Sequence, residues 1–328
     1  MKQNLVVVIV TLQLITILFL GVFYYIKQSS VQTPSISWID KNQLLPNPNS
    51  SLKNFYEPKP NITISNNLYF LGENYNFTTS YTYNNDSLNQ EKNLLEKKPT
   101  NTFRIITLGD SFTFGANLNT KDNYPSQLET IINKELACPD KNFEVINLAV
   151  PGYDIQYSVE RFRLRGVKYN PDLLLWLVIQ DNLVRLNELM LPKSLKYEAE
   201  MKANKQIQTL AKEGNYYPDY KKARDEVITS LGEDTILNMQ LDYLKELDNY
   251  YKGNMVLLTF PFTQSNYKQL LSNYSNSRPN TYYYDNLVNI YQQNRGVFPD
   301  FHPNEIGTNL IAQDIYTYLT KNNIISCN

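Results

Sequence analysis

The stretch Phe103-Arg-Ile-Ile-Thr-Leu-Gly-Asp-Ser-Phe-Thr-Phe-Gly115 decides how this chain is read. Its first six residues form a short, mostly apolar run, the pattern of a strand covered on both faces. The run stops at Gly109, and Asp110 and Ser111 follow at once. A strand that ends this way delivers the next hydroxyl to the C-terminal mouth of a sheet. In open α/β folds that mouth is where ligands bind.

The same rhythm continues on both sides of the chain's midpoint. Apolar runs at 143–150, 172–179, 255–260 and 281–284 read as further strands. Segments 124–136, 153–169, 236–251 and 304–322 carry helical spacing. Strands alternating with helices predict a three-layer α/β/α sandwich on a parallel, flavodoxin-like doubly wound sheet, here spanning residues 101–328. Residues 183–234 break the rhythm. They are polar, rich in Lys and Glu, and helical in pattern, and they are too many for a plain connection. A helical insertion is expected there, leaving the end of the third strand either as a lid or cleft wall or as a solvated hairpin.

Residues 5–26 form an uncharged run of 22, long enough as a helix to reach ~33 Å and cross a bilayer core. Lys2 and Lys27 flank it, and Tyr24 and Tyr25 lie where an interfacial belt would be. Residues 1–27 are therefore expected to be a membrane anchor. A cleaved signal peptide is the competing reading, but its apolar stretch is usually shorter and ends in an Ala-x-Ala-like site that is missing here. The short N-terminus predicts a single-pass membrane protein with its main domain extracytoplasmic. Residues 28–60, rich in Ser, Pro, Asn and Gln, read as a stalk. Residues 61–100 read as an irregular preface with β-like pieces at 62–64 and 79–83. Together, 28–100 separate the anchor from the domain.

Composition narrows the function classes. The formal net charge is −1 and no basic cluster stands out, so a nucleic-acid partner is not expected. The 26 tyrosines, with heavy use of Asn, Lys and Ile, fit an AT-rich coding sequence better than a sugar-binding surface. No Cys/His cluster exists, so neither a metal nor a cofactor is implied. Cys138 and Cys327 each follow or end a predicted helix. A disulfide is permitted outside the membrane, and spacing alone leaves both that and two free thiols open.

The chain holds one histidine, His302, in Phe298-Pro-Asp-Phe-His-Pro-Asn-Glu-Ile-Gly307. The alternation puts four strand ends on one edge. The first carries Asp110 and Ser111. The second carries Asn147 and, after Pro151, Gly152. The third carries Gln180, Asp181 and Asn182, and the last loop carries Asp300 and His302. A hydroxyl nucleophile, an approachable backbone N–H, an amide and an acid–histidine pair are the parts that acyl transfer needs.

This ordered set resembles the SGNH/GDSL hydrolase family over roughly residues 102–320. Gly109-Asp110-Ser111 with Gly115 matches the first block, Gly152 the second, and Asp300, His302, Pro303, Asn304 and Gly307 the last. The resemblance implies that Ser111 is the nucleophile, His302 its base and Asp300 the orienting acid. It implies an oxyanion hole of the Ser111 and Gly152 N–H groups with an Asn side chain. The third block departs from the pattern, since the family usually reads Asn-Asp and this chain reads Asp181-Asn182. Either residue fits one length of strand end. A carboxylate would oppose a developing oxyanion, so chemistry favours Asn182. The acid departs too. The family often places it three residues before the histidine, where Pro299 stands, whereas Asp300 is two before.

The function this implies is ester hydrolysis outside the membrane, through a Ser-His-Asp acyl-enzyme, on acyl and in particular O-acetyl esters of envelope glycans or lipids. Two alternatives stay open. One is an O-acetyltransferase of surface polysaccharide. The other is a non-catalytic glycan- or partner-binding domain on the same fold. No protein partner is indicated.

Overall fold

The structure is a computed structural model and describes residues 44–69, 76–203, 217–292 and 295–327. The expected anchor at 5–26 lies outside the described residues, as do the first sixteen residues of the expected stalk, 28–43. Among the described residues nine strands follow in chain order: β1 (Leu44–Pro46), β2 (Tyr56–Pro58), β3 (Ile62–Tyr69), β4 (Asn76–Tyr83), β5 (Thr102–Leu108), β6 (Asn142–Asn147), β7 (Leu173–Leu177), β8 (Asn254–Leu258) and β9 (Thr281–Tyr284). The last five make one sheet in the order β6-β5-β7-β8-β9, every pair parallel. Counted from its own first strand this is 2-1-3-4-5, the flavodoxin-like order, and its switch point lies between β5 and β7.

Strand alternation explains why these runs read as continuously apolar. Ile105, Leu173, Leu175, Val256 and Leu258 face one layer, where Leu128, Ile132, Ile311 and Ile315 of helices Tyr124–Leu136 and Glu305–Lys321 cover them. Ile106, Leu174, Trp176 and Leu257 face the other, against Val159, Phe162, Leu244 and Leu271. Helix Tyr124–Leu136 starts where Asn123 accepts a hydrogen bond from the Ser126 N–H at 2.8 Å, with Pro125 in its first turn. Two strands are shorter than expected. The run at 143–150 pairs only as far as Asn147, and Leu148–Val150 are buried in a loop instead. The run at 172–179 stops pairing at Leu177, and Gln180 opens a short helix, Gln180–Val184. Apolarity reported burial correctly, but pairing ended sooner.

The described residues of the 183–234 segment are mostly helical. Helices Asn187–Ala203 and Pro218–Leu231 are joined by Ser194 Oγ to Asp219 Oδ2 at 2.7 Å. Leu186, Met190, Tyr220, Val227 and Ile236 give it a small core of its own. Cys138 and Cys327 form a disulfide, Cα to Cα 5.3 Å, which ties the chain's end to the loop after helix Tyr124–Leu136.

The stalk reading is corrected for its described part. β1 and β2 pair with each other, and Phe55 and Tyr56 are buried against Tyr153 and Tyr157. Glu57 is 4% exposed and forms ion pairs with Arg161 and Arg165. Glu188 accepts from the Lys53 and Asn54 N–H groups and from the Tyr157 hydroxyl. The polar composition that suggested a free linker instead supplies partners for buried charge. The preface is more regular than expected: β3 and β4 pair antiparallel, and Tyr81 and Tyr83 pack on Phe114, the last residue of Ser111's helix.

Burial alone would raise the Glu57 pKa, but the Arg161 charge and the Arg165 hydrogen bonds outweigh it and bring it down to about 2. That pairing therefore stabilises the fold above the ordinary carboxylate range near 4.5 and is lost as pH falls toward 2. Arg161→Ala strips Glu57 of its most buried partner and should cost about 3 kcal/mol or more at neutral pH, read as a lowered urea midpoint. An unchanged midpoint would mean that the 44–58 segment is not held this way.

Candidate active site

Ser111 opens the helix Ser111–Phe114 immediately after β5, with Asp110 as its cap: Oδ1 accepts from the Phe112 N–H at 3.1 Å. Gly109 makes the turn possible. Its φ is +151°, and a Cβ there would sit 2.3 Å from Thr113 Oγ1 and 3.1 Å from the Leu177 carbonyl oxygen. The strand end and the helix approach too closely for any side chain.

His302 reaches Ser111 from the other end of the chain. Nε2 lies 2.8 Å from Ser111 Oγ, and Nδ1 lies 2.9 Å from Asp300 Oδ2. Asp300 is 5% exposed at its side chain and His302 13%. The loop explains how an acid two residues away reaches the ring. The Phe301 N–H donates to the Phe298 carbonyl at 2.9 Å, and the Phe298 N–H to the His302 carbonyl at 2.8 Å. Pro299 and Asp300 form the tip of this tight hairpin, and Phe301 follows with φ +70°. A left-handed residue after a two-residue turn is a bulge, which turns the chain so that Asp300 and His302 meet. In a phenylalanine this conformation costs about 1–2 kcal/mol. Pro299 is thus a turn former, and the acid's displacement by one position follows from the bulge.

The charges set the tautomer. Burial would lower the His302 pKa, but the adjacent Asp300 carboxylate wins and raises it above the ordinary 6.5. For Asp300, burial is outweighed by His302 and by the Asn117 side chain, and its pKa falls. An ionised Asp300 accepts from Nδ1–H, so Nε2 is left to accept the Ser111 hydroxyl proton. Sequence reasoning missed Asn117, whose Nδ2 donates to Asp300 Oδ2 at 2.9 Å. Its own N–H donates to the Tyr81 hydroxyl at 2.7 Å, so β4 supports the acid. The available signal was an Asn just past Gly115, where φ is +67° and asparagine is favoured.

The Gly152 loop is a tight turn, with the Tyr153 N–H donating to the Val150 carbonyl at 3.2 Å. Pro151 followed by Gly152 at φ +81° is the type II pattern. The Tyr56 hydroxyl donates to the Pro151 carbonyl at 2.9 Å. In a trans peptide the carbonyl and the next N–H point opposite ways, so Tyr56 also sets the direction of the Gly152 N–H. The polar composition of 28–60 gives no hint of this contact.

The third block departs from expectation. Asn182 Nδ2 donates both to Asp110 Oδ2 at 3.0 Å and to the Tyr153 carbonyl at 2.9 Å, and Oδ1 accepts from the Ile179 N–H at 2.8 Å. Both amide hydrogens are therefore spent. The expectation of an oxyanion donor at Asn182 is corrected: this amide is a strut between the Ser111 loop and the Gly152 loop. Asp181 turns to the insertion, where it pairs with Arg185 and accepts from the Tyr220 hydroxyl at 3.2 Å. Asp110 is fully buried, which raises its pKa, while Arg185 and the Phe112 N–H oppose the shift. Asn304 and Gly307 serve architecture. Asn304 caps the last helix through the Ile306 and Gly307 N–H groups, and Gly307 lets that helix pass the Gly296 carbonyl.

No family model matches this chain, and no curated protein does. Solved structures similar to it include a two-domain esterase active on acetylated mannans, at 18% identity and a TM-score of 0.42, over 69% of this chain and 50% of that one. The chain thus spans about half the length of that esterase. A psychrotrophic esterase from Pseudoalteromonas sp. matches at 14% identity and a TM-score of 0.40, over 69% of this chain and 100% of that one. A family 3 carbohydrate esterase from Clostridium thermocellum matches at 16% and 0.38, over 67% and 96%. What the site does is decided by its own geometry. Ser111 follows β5, Gly152 lies in the turn after β6, and Asp300 and His302 lie in the loop before the last helix.

The lone histidine makes the electrostatics directly measurable. Its single pair of ring proton resonances should titrate with a pKa above 6.5, and Asp300→Asn should lower that value, because burial then acts without its opposing charge. An unshifted titration in the variant would contradict the pairing.

Proposed function

We propose that this chain is a serine ester hydrolase of the SGNH/GDSL type. The observation that carries the reading is the relay Ser111 Oγ, His302 Nε2 and Nδ1, Asp300 Oδ2, with contacts of 2.8 and 2.9 Å, at the C-terminal edge of a parallel sheet. A structural capping serine has no need of a histidine from 191 residues away.

In this mechanism His302 takes the hydroxyl proton as Ser111 Oγ attacks the ester carbonyl. Asp300 holds the imidazole and stabilises the imidazolium. The tetrahedral oxyanion is met by the N–H groups of Ser111 and Gly152, the second aimed by Tyr56 through the Pro151 carbonyl. His302 then returns the proton to the leaving alcohol, and water repeats the cycle on the acyl-enzyme. With the Asn182 amide occupied, the oxyanion hole rests on backbone donors. Losing one such donor typically costs about 3–4 kcal/mol of transition-state stabilisation, so the Pro151–Gly152 turn carries much of the rate.

The uncharged run at 5–26 supports an anchored, extracytoplasmic setting. There the accessible esters are acyl groups, O-acetyl foremost, on envelope glycans or lipids.

Activity should require neutral His302, so kcat/KM should rise with pH through an apparent pKa above 6.5. A serine-directed fluorophosphonate should label the folded protein. Ser111→Ala should abolish labelling, and Ser111→Ala or His302→Ala should each cut aryl acetate hydrolysis by a factor on the order of 10⁴ or more. Folded wild-type protein that takes no label would support a binding domain instead. Asn117→Ala removes a hydrogen bond to a charged group, worth about 1.5–3 kcal/mol. It should lower kcat/KM at least about tenfold, and unchanged kinetics would remove Asn117 from the relay.

A further inference from the structure

Two large apolar side chains on the loops after β8 and around His302 are left exposed. Phe301, between the acid and the histidine, is 66% exposed and sits at φ +70°. A glycine or asparagine would hold that backbone with less strain. Phe262 is 50% exposed. An exposed phenylalanine by itself is ordinary, but Phe262 ends a chain of ring contacts that starts at the histidine, and Phe301 is the histidine's neighbour in sequence. The Phe112 ring lies 5.6 Å from the His302 ring, and Phe260 lies 6.1 Å from Phe112. Phe262 stacks on Phe260 at 5.0 Å with planes 10° apart. Tyr291 meets Phe262 edge-on at 5.0 Å, and its hydroxyl donates to the Phe301 carbonyl at 3.3 Å. Phe112 and Phe260 are buried, the ring chain surfaces at Phe262, and the exposed Phe301 is tied to it through its backbone carbonyl.

Reaction geometry says which part of a substrate these rings meet. His302 Nε2 must hand its proton to the leaving alcohol oxygen, so the alcohol moiety departs on the His302 side of Ser111. The acyl moiety lies toward the backbone donors of Ser111 and Gly152. The ring chain that runs out from His302 therefore extends on the alcohol side. Their exposure narrows its chemistry. A ledge that leaves its rings half open covers one face of a ligand and leaves the other in water. A pyranose suits this, with a flat C–H face to stack and hydroxyls left hydrated, and the exposed Gln264 lies two residues from Phe262. A flexible hydrocarbon alcohol would gain from burial on all sides, and a ledge does not provide it.

We infer that Phe262 and Phe301 form an aromatic ledge that receives the sugar ring bearing the scissile ester, which makes the alcohol side of the substrate a glycan. The inference rests on the ester-hydrolase reading of Ser111 and names the substrate class for that site.

The test compares kcat/KM on acetylated xylo-oligosaccharides with kcat/KM on 4-nitrophenyl acetate. In Phe262→Ala and in Phe301→Gly, which fits the left-handed backbone, the ratio should fall about tenfold, carried by KM on the oligosaccharide. Phe262→Trp should restore it. In the Ser111→Ala background, calorimetry should show oligosaccharide binding weakened about tenfold by Phe262→Ala. An active enzyme whose ratio and binding stay within about twofold overturns the ledge and leaves the hydrolase reading standing. So does a loss confined to 4-nitrophenyl decanoate, which would put the acyl chain on these rings. Wild-type protein that hydrolyses no ester and takes no fluorophosphonate label overturns the hydrolase reading, and the ledge falls with it.

Discussion

The contact between Ser111 Oγ and His302 Nε2 joins residues 191 apart, and much of the architecture can be traced to it. Each partner sits on a turn whose geometry is imposed by its surroundings. Ser111 is fixed by the close approach of Gly109 to Thr113 and to the end of β7. His302 is fixed by a bulged hairpin and by the helix that Asn304 caps directly after it. That helix packs with helix Tyr124–Leu136 on one face of the sheet, and the Cys138–Cys327 disulfide closes the same layer at its far end. The strain at Phe301 is held in place because both flanking residues are bonded: Asp300 to Asn117 and to the imidazole, and His302 to Ser111.

The N-terminal part of the described chain takes part in this geometry. Tyr81 reaches the acid through Asn117, and Tyr56 holds the Pro151 carbonyl and so orients the peptide that presents the Gly152 N–H. The ion pairs of Glu57 with Arg161 and Arg165 dock the strand that carries Tyr56 onto the helical layer. Substitutions in what looks like a linker should therefore be felt at the site, through direction and not through contact with the substrate.

The sheet was legible in the sequence because strands such as Leu173–Leu177 are covered on both faces, and that coverage writes an unbroken apolar run. The contact of His302 with Ser111 and Asp300 was legible because one histidine leaves one choice and Asp300 stands beside it. Long-range polar partners were not legible. Asn182 and Asp181 can be told apart only when the Tyr153 carbonyl, Asp110, Arg185 and Tyr220 are in place around them. The burial of Phe55 and Tyr56 depends on tyrosines about a hundred residues downstream, while the local composition of 28–60 reads as loop. The pairing of Cys138 with Cys327 likewise needed the packing of the last helix and not the spacing of two thiols.

The central claim is that Ser111 becomes acylated during turnover. The direct measurement is peptide mapping by mass spectrometry of protein acid-quenched while it turns over an acetate ester, in the wild type and in His302→Ala. An acetyl group on the peptide bearing Ser111, present in the wild type and absent from the variant, is the expected result. Ester turnover with no modification of that peptide, or equal acetylation in both proteins, would contradict the account.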